Sequence, residues 1–202
     1  TNWNDTGAQD AAGTINNLID DTGTITGASI TWSSANTWWN YDGTADEQHM
    51  LSTGYLDDGG AGLSITIANI PYTYYKLYGL YSTDAAGVAD GIAINSGDFT
   101  VGGVYVYGGA SAANPSAYGS IEDNNIANGE YWTENIPGVS IGNYWTVAHS
   151  NQGPITIQGY RNGAARATLS GVIIEQIPEP ATFGMVALFG GGLLFIRRRL
   201  KI

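Results

Sequence analysis

The chain has 202 residues, contains no cysteine and carries a formal net charge of −11 at pH 7. The lack of cysteine excludes thiol catalysis, cysteine-ligated zinc and cysteine-ligated iron–sulfur clusters. Residues 1–177 hold 17 acidic and three basic side chains. An acidic body of this kind repels phosphate backbones, so we expect no nucleic-acid partner.

The composition of residues 1–177 favours an all-β fold in a single domain. Glycine contributes 29 residues of the chain and charged side chains only 12%, which is typical of extracellular β-modules with many turns. Leu63–Ala68 alternates strictly, and we expect 74–81 to be its hairpin partner. Short strands separated by glycine-containing turns predict a β-sandwich of jelly-roll type. The predicted strands are 28–34, 63–68, 74–81, 88–94, 101–107, 130–136, 143–148, 155–158 and 167–174, with 14–19 as a further strand or one helical turn.

One short helix is predicted within this body, at 44–52. Thr44 can cap its first turn, and the acidic Asp46 lies where the helix dipole favours a negative charge. Residues 38–41 before the helix are predicted to form a loop, and residues 57–60 after it a turn.

Aromatic side chains stand in adjacent pairs at 38–39, 131–132 and 144–145. Neighbours on a strand point to opposite faces, so one ring of each strand pair is expected inside and the other toward water or a partner. An exposed ring can stack on the C–H face of a sugar, whereas the alternative role is packing at the core and rim of the sandwich. The candidate carbohydrate contacts are Trp38, Trp39, Tyr41, Trp132 and Trp145.

Acidic residues beside glycine and asparagine raise the hypothesis of a structural Ca²⁺ between loops, because calcium takes six to eight oxygen ligands. No run follows the Asp-x-Asp-x-Asp-Gly register of a calcium loop. The alternative is that these carboxylates are solvated turn residues. The candidate ligands are Asp57, Asp58, Asp123 and Asn125, and no other cofactor is expected.

Catalytic signatures are sparse in this sequence. Neither His-Glu-x-x-His nor Gly-x-Gly-x-x-Gly occurs, and His49 and His149 are the only histidines. Glycoside hydrolysis requires two carboxyl groups about 5–10 Å apart across a cleft. Glu122, Glu130 and Glu134 are candidates for such a pair, but sequence cannot place them together. We therefore predict that the protein is not an enzyme.

The last 25 residues, 178–202, have a different character from the body. Residues 181–196 are uncharged, and as a helix they would extend about 24 Å, against roughly 30 Å for the core of a bilayer. The arginines that follow can extend this reach by snorkelling and resist translocation. The sequence therefore predicts a short transmembrane segment with residues 1–177 outside the cytoplasm.

This tail resembles the PEP-CTERM sorting signal of Gram-negative bacteria. The resemblance rests on the triplet Pro178, Glu179 and Pro180, the apolar segment 181–196 and the terminal cluster Arg197, Arg198 and Arg199. It implies transient anchoring in the inner membrane, processing near the triplet by an exosortase, and delivery to the cell surface or an exopolysaccharide matrix. It also implies a signal peptide removed before Thr1.

The body resembles, more distantly, the galactose-binding-like sandwiches found in many surface proteins with this tail. That resemblance rests on the segments 63–68, 74–81 and 169–175, and it supplies no ligand residues. The leading hypothesis is a non-enzymatic surface or matrix protein that acts by adhesion to polysaccharide or by self-association. The alternative is a carbohydrate-binding module that uses exposed aromatic rings, and the third hypothesis is a glycoside hydrolase or lyase.

Overall fold

A computed structural model of the chain describes residues 4–5, 10–39, 54–80, 97–106, 144–150, 153–161 and 166–178. Every regular element in these residues is a β-strand, which confirms the all-β prediction. The predicted helix 44–52, the segment 181–196 and the predicted strands 88–94 and 130–136 lie outside the described residues. The described strands are β1 (Ala12–Asn16), β2 (Ser29–Ser34), β3 (Asn36–Trp39), β4 (Gly54–Asp57), β5 (Leu63–Ala68), β6 (Tyr75–Leu80), β7 (Asp98–Val101), β8 (Val104–Val106), β9 (Tyr144–His149), β10 (Ile155–Tyr160), β11 (Thr168–Leu169) and β12 (Gly171–Gln176).

The strands form three sheets in which the described neighbours are antiparallel. The largest has six strands in the order β1-β2-β5-β10-β7-β8, and the two smaller sheets have the orders β12-β6-β9 and β11-β4-β3. Strand β5 lies near the middle of the large sheet, where Leu63, Ile65 and Ile67 point inward and are buried. Its strict alternation gives it one buried and one outer face.

The core lies between the six-stranded sheet and the β12-β6-β9 sheet. Buried side chains from both sheets form one cluster, and the rings of Phe99 on β7 and Trp145 on β9 meet across it at a centroid distance of 5.6 Å. Burying a large apolar side chain stabilises a fold by about 1.5–3 kcal/mol. The architecture is therefore sandwich-like, and its jelly-roll connectivity stays a prediction.

The predicted hairpin between 63–68 and 74–81 is wrong. Strand β5 pairs with β2 and β10, whereas β6 pairs with β12 and β9 in the opposite layer. The connection turns away from the sheet because Asn69 has a φ of 57° and Pro71 has no N–H to donate to a ladder. Ile70, between them, is buried in the core as the chain crosses from one layer to the other.

Three further segments differ from the prediction. The expected strand 101–107 is instead the β7–β8 hairpin, whose turn holds Gly102 and Gly103 at φ 54° and 84°, as a type I′ turn requires. The expected loop 38–41 begins within strand β3, which pairs with β4. The last predicted strand is divided at Ser170, so that β11 joins β4 while β12 joins β6.

Candidate functional site: the C-terminal strand and its exit

The C-terminal strand β12 is an integral part of the folded body. It pairs with β6 over its whole length, from Gly171 opposite Leu80 to Gln176 opposite Tyr75. One hydrogen bond continues beyond this register, because the N–H of Ile177 donates to the carbonyl of Tyr74 at 2.9 Å. Pro178, the next residue, has no N–H to donate.

Side-chain packing holds β12 in place in addition to its backbone hydrogen bonds. Val172 and Ile174 pack against the core, whereas Ile173 is 37% exposed and Glu175 accepts a hydrogen bond from the hydroxyl of Tyr78. The sheet therefore holds the chain by backbone bonds and by apolar packing up to the first proline of the triplet.

A recess of about 280 Å³ lies where the chain leaves the sheet. Its lining residues are Tyr74, Ala148, His149, Ser150, Ile177 and Pro178. Behind it, the ring of His149 stacks on Tyr75, its cross-strand partner, with centroids 5.7 Å apart and planes 14° from parallel. The Tyr75 hydroxyl and His149 Nδ1 are buried, and neither has a hydrogen-bond partner among the described residues. Burial raises the pKa of the Tyr75 phenol, which keeps it neutral.

The structure corrects the aromatic prediction at Trp145. This side chain is 1% exposed and packs on Phe99, so its ring has no face to offer a sugar. Trp38 lies in β3 rather than in a loop, and its ring stacks on Tyr55 of the paired strand at 5.4 Å, which occupies one face. Of the other candidates, the side chain of Trp39 and the whole of Tyr41 and Trp132 lie outside the described residues.

Asp57 and Asp58 are buried, so the alternative that they are solvated turn residues is wrong for both. Asp57 Oδ2 lies 3.2 Å from Nη1 of Arg166, and its Oδ1 accepts the N–H of Gly59 at 3.0 Å. Asp58 Oδ1 accepts the N–H of Ala167 at 3.0 Å. Both carboxylates thus tie the turn after β4 to the chain entering β11.

The described residues contain no group of three or more acidic, histidine or cysteine side chains close enough to hold a metal ion. Asp123 and Asn125, the other two candidate ligands, lie outside them. The Ca²⁺ hypothesis therefore stays untested at that pair, while Asp57 and Asp58 already have protein partners.

The catalytic candidates are only partly described. His149 lies at the end of the sandwich, whereas His49, Glu122, Glu130 and Glu134 are outside the described residues. Residues 138–142 read Gly-Val-Ser-Ile-Gly, the spacing of the nucleophile elbow of α/β-hydrolases. That elbow joins a strand to a helix above an α/β sheet, and every regular element described here is a strand. The pattern alone therefore does not indicate a hydrolase.

Comparison with known proteins identifies the C-terminal region. Residues 176–201 match the family model described as PEP-CTERM protein-sorting motif. No curated protein and no solved structure shows significant similarity to the chain. None of the described residues forms a helix that could cross a bilayer, and the apolar segment 181–196 is not among them.

The match confirms the prediction of a sorting tail and extends it inward by two residues. Its first residue, Gln176, is the last residue of β12, and its second, Ile177, makes the backbone bond to Tyr74 that follows this strand. The motif indicates an exported protein that is anchored as a precursor and processed by an exosortase. The C-terminal residues 176–201 of this chain are therefore a PEP-CTERM protein-sorting motif.

Proposed function

We propose that the chain is a non-enzymatic protein of the cell surface or exopolysaccharide matrix that acts by adhesion or self-association. The observation that carries the proposal is the sorting motif, which begins inside the last strand of the body. A tail used only for sorting and then removed leaves an all-β head as the delivered product. On this proposal the head has the jelly-roll connectivity of a galactose-binding-like sandwich.

In this role the triplet Pro178–Pro180 is a substrate of the sorting machinery and has no catalytic task. The apolar segment 181–196 holds the precursor in the inner membrane, and Arg197–Arg199 keep its end in the cytoplasm. Cleavage near the triplet then frees the head for the surface or the matrix.

The composition of the head suits contact with neutral polymers or with further copies. Its 17 acidic and three basic side chains give residues 1–177 a net charge of −14. Copies would repel one another at low ionic strength, and salt or divalent cations would screen that repulsion. A carbohydrate-binding role is the second candidate, because aromatic side chains lie on the surface of the described sheets.

The sorting step is tested by the intact mass of the released protein. We expect the wild-type product to end near Pro178 and to lack 181–202. Glu179→Ala should stay with the membrane fraction at the full precursor mass. Glu175→Gln is the matched control, since it removes a carboxylate just before the motif and should be released normally. A wild-type product of full precursor mass in the medium would contradict the proposal.

The role of the delivered head is tested by deleting the protein. We expect cells without it to aggregate less and to retain less exopolysaccharide, and plasmid-borne wild type should restore both. An unchanged matrix and unchanged aggregation would remove the adhesive role while leaving the sorting step intact.

A further inference from the structure

The outer face of the six-stranded sheet carries hydroxyl groups in register. Thr14, Thr31, Thr66 and Thr156 are directly opposed on the neighbouring strands β1, β2, β5 and β10. Their Oγ1 atoms are 3.0 Å apart between Thr14 and Thr31 and 3.2 Å apart between Thr66 and Thr156. These hydrogen bonds fix a row of hydroxyls across four strands.

A second row runs beside the first. Ser33 is opposite Ser64, Ser64 is opposite Gln158, and Gln158 is opposite Thr100. Neither row contains a charged side chain, although the body has a net charge of −14. A partner that is recognised by charge has nothing to pair with in these rows, whereas a neutral polyhydroxylated partner can exchange hydrogen bonds along both.

A groove of about 550 Å³ lies at one end of these rows. It is lined by Thr100, Gly102, Gly103, His149, Pro154, Thr156, Gln158 and Tyr160. A Cβ at Gly103 would meet no atom within 4 Å, whereas one at Gly102 would lie 2.6 Å from Nε2 of His149. Tyr160 is 43% exposed. The groove therefore combines an aromatic surface with several hydroxyl groups.

Hydrogen bonds within the groove fix the orientation of its key groups. The Tyr160 hydroxyl donates to Oε1 of Gln158 at 2.7 Å, and Thr100 Oγ1 approaches the same oxygen at 3.4 Å. With Oε1 engaged, the amide N–H groups of Gln158 are left to donate to a ligand, as they bond to no described residue. An oriented ring and an oriented donor lower the entropic cost of binding.

We propose that this groove and the two hydroxyl rows bind a strand of neutral polysaccharide. One sugar ring stacks its C–H face on Tyr160, Gln158 donates to a sugar hydroxyl, and the threonine and serine rows bond to the following units. The inference deepens the proposed function, on which it rests, by assigning the ligand class and by placing the contact on the outer face of the six-stranded sheet.

The test is affinity electrophoresis of the full-length chain in detergent through gels that contain a neutral glucan, a neutral galactomannan or alginate. We expect retardation by at least one neutral polymer and none by the anionic alginate. Tyr160→Ala should weaken the retardation about tenfold, because it removes the stacked ring. Tyr160→Phe keeps the ring and should bind within about threefold of wild type. Ile173→Ala, which removes an exposed apolar side chain on the other layer, is the control.

Equal retardation of wild type and Tyr160→Ala, with unchanged melting midpoints, would overturn the proposal. So would stronger retardation by alginate. A second copy of the chain is the other possible occupant of the groove, and sedimentation velocity of the protein alone tests for it. An oligomer that Tyr160→Ala dissociates would assign the groove to that second copy and overturn the proposal. These outcomes are distinguishable from a failure of the proposed function. Tail processing and deletion phenotypes are measured in cells, whereas polysaccharide binding is measured with purified protein.

Discussion

The indole ring of Trp145 lies across the backbone of Gly79, the residue directly opposite it on β6. A Cβ at position 79 would come within 2.6 Å of Cη2 of that ring. The same relation recurs in the other layer, where a Cβ on Gly13 would lie 2.7 Å from Cη2 of its partner Trp32. These two sheets thus accommodate a large indole by having a glycine directly opposite it.

The first prediction concerns that contact. Gly79→Ala should destabilise the fold by about 1–3 kcal/mol, because the added methyl forces the buried ring out of its position. Urea denaturation followed by near-ultraviolet circular dichroism reports both the midpoint and the tryptophan environment. Lys76→Ala, at an exposed position of the same strand, should change the midpoint little. A stable Gly79→Ala variant with an unchanged tryptophan signal would contradict the packing described here.

A second prediction concerns the buried carboxylate of Asp58. Its Oδ1 accepts the N–H of Ala167, and its own N–H donates to the carbonyl of Ala167 at 3.1 Å. Asp58→Ala leaves the Ala167 N–H buried without that acceptor and should cost about 1–3 kcal/mol. Asp58→Asn retains an acceptor oxygen and should cost less. The order of their urea midpoints checks the geometry, and a more stable alanine variant would refute it.

The third prediction is a pH dependence at Asp20. Its Oδ1 accepts the hydroxyl of Thr22 at 2.6 Å and the N–H groups of Thr22 and Thr24 at 2.9 Å each. These bonds, the Thr22 hydroxyl foremost, lower the pKa of Asp20 below its ordinary 3.8. The contribution to stability is therefore present above the unfolded-state pKa and is lost as the pH falls through the lower folded-state pKa.

Carbon-13 NMR titration of the Asp20 carboxyl measures this shift directly. Thr22→Val removes the hydroxyl donor and should raise the pKa of Asp20 toward its ordinary value. Thr26→Val is the matched control, because the Thr26 hydroxyl donates to the carbonyl of Leu18 instead. Identical titration curves for wild type and Thr22→Val would show that the hydroxyl bond does not set the pKa.

Individual strands were predictable where the alternation of apolar and polar residues is complete within one segment. The alternation of 63–68 predicts β5 with both ends correct, and most of β12 falls within the expected strand 167–174. The pairing of β5 was not predictable in the same way, because its partners β2 and β10 are distant from it in sequence. The Gly102-Gly103 turn was a readable signal, since two successive glycines suit the positive φ values of a type I′ turn.

The sorting motif was readable because its chemistry is local, with the triplet, the apolar run and the arginines contiguous in sequence. The burial of Asp57 could not be predicted from the sequence, because its partner Arg166 is 109 residues away and contacts it only in the folded state. Trp145 shows that alternation alone does not identify which of two neighbouring rings is buried. The pattern predicts that one ring of the 144–145 pair is inside, and the opposing Gly79 decides that it is the tryptophan.

The bond from Ile177 to Tyr74 also bears on how the folded body is oriented in the membrane-anchored precursor. Only residues 178–180 separate this last rung from the apolar run, and three residues reach at most about 11 Å. On the proposed function, in which 181–196 lies in the membrane, we therefore expect the end of the body bearing Tyr74 and His149 to face the bilayer. A cut near the triplet would then leave only a few residues beyond the bond between Ile177 and Tyr74, which gives other proteases little exposed chain to cleave.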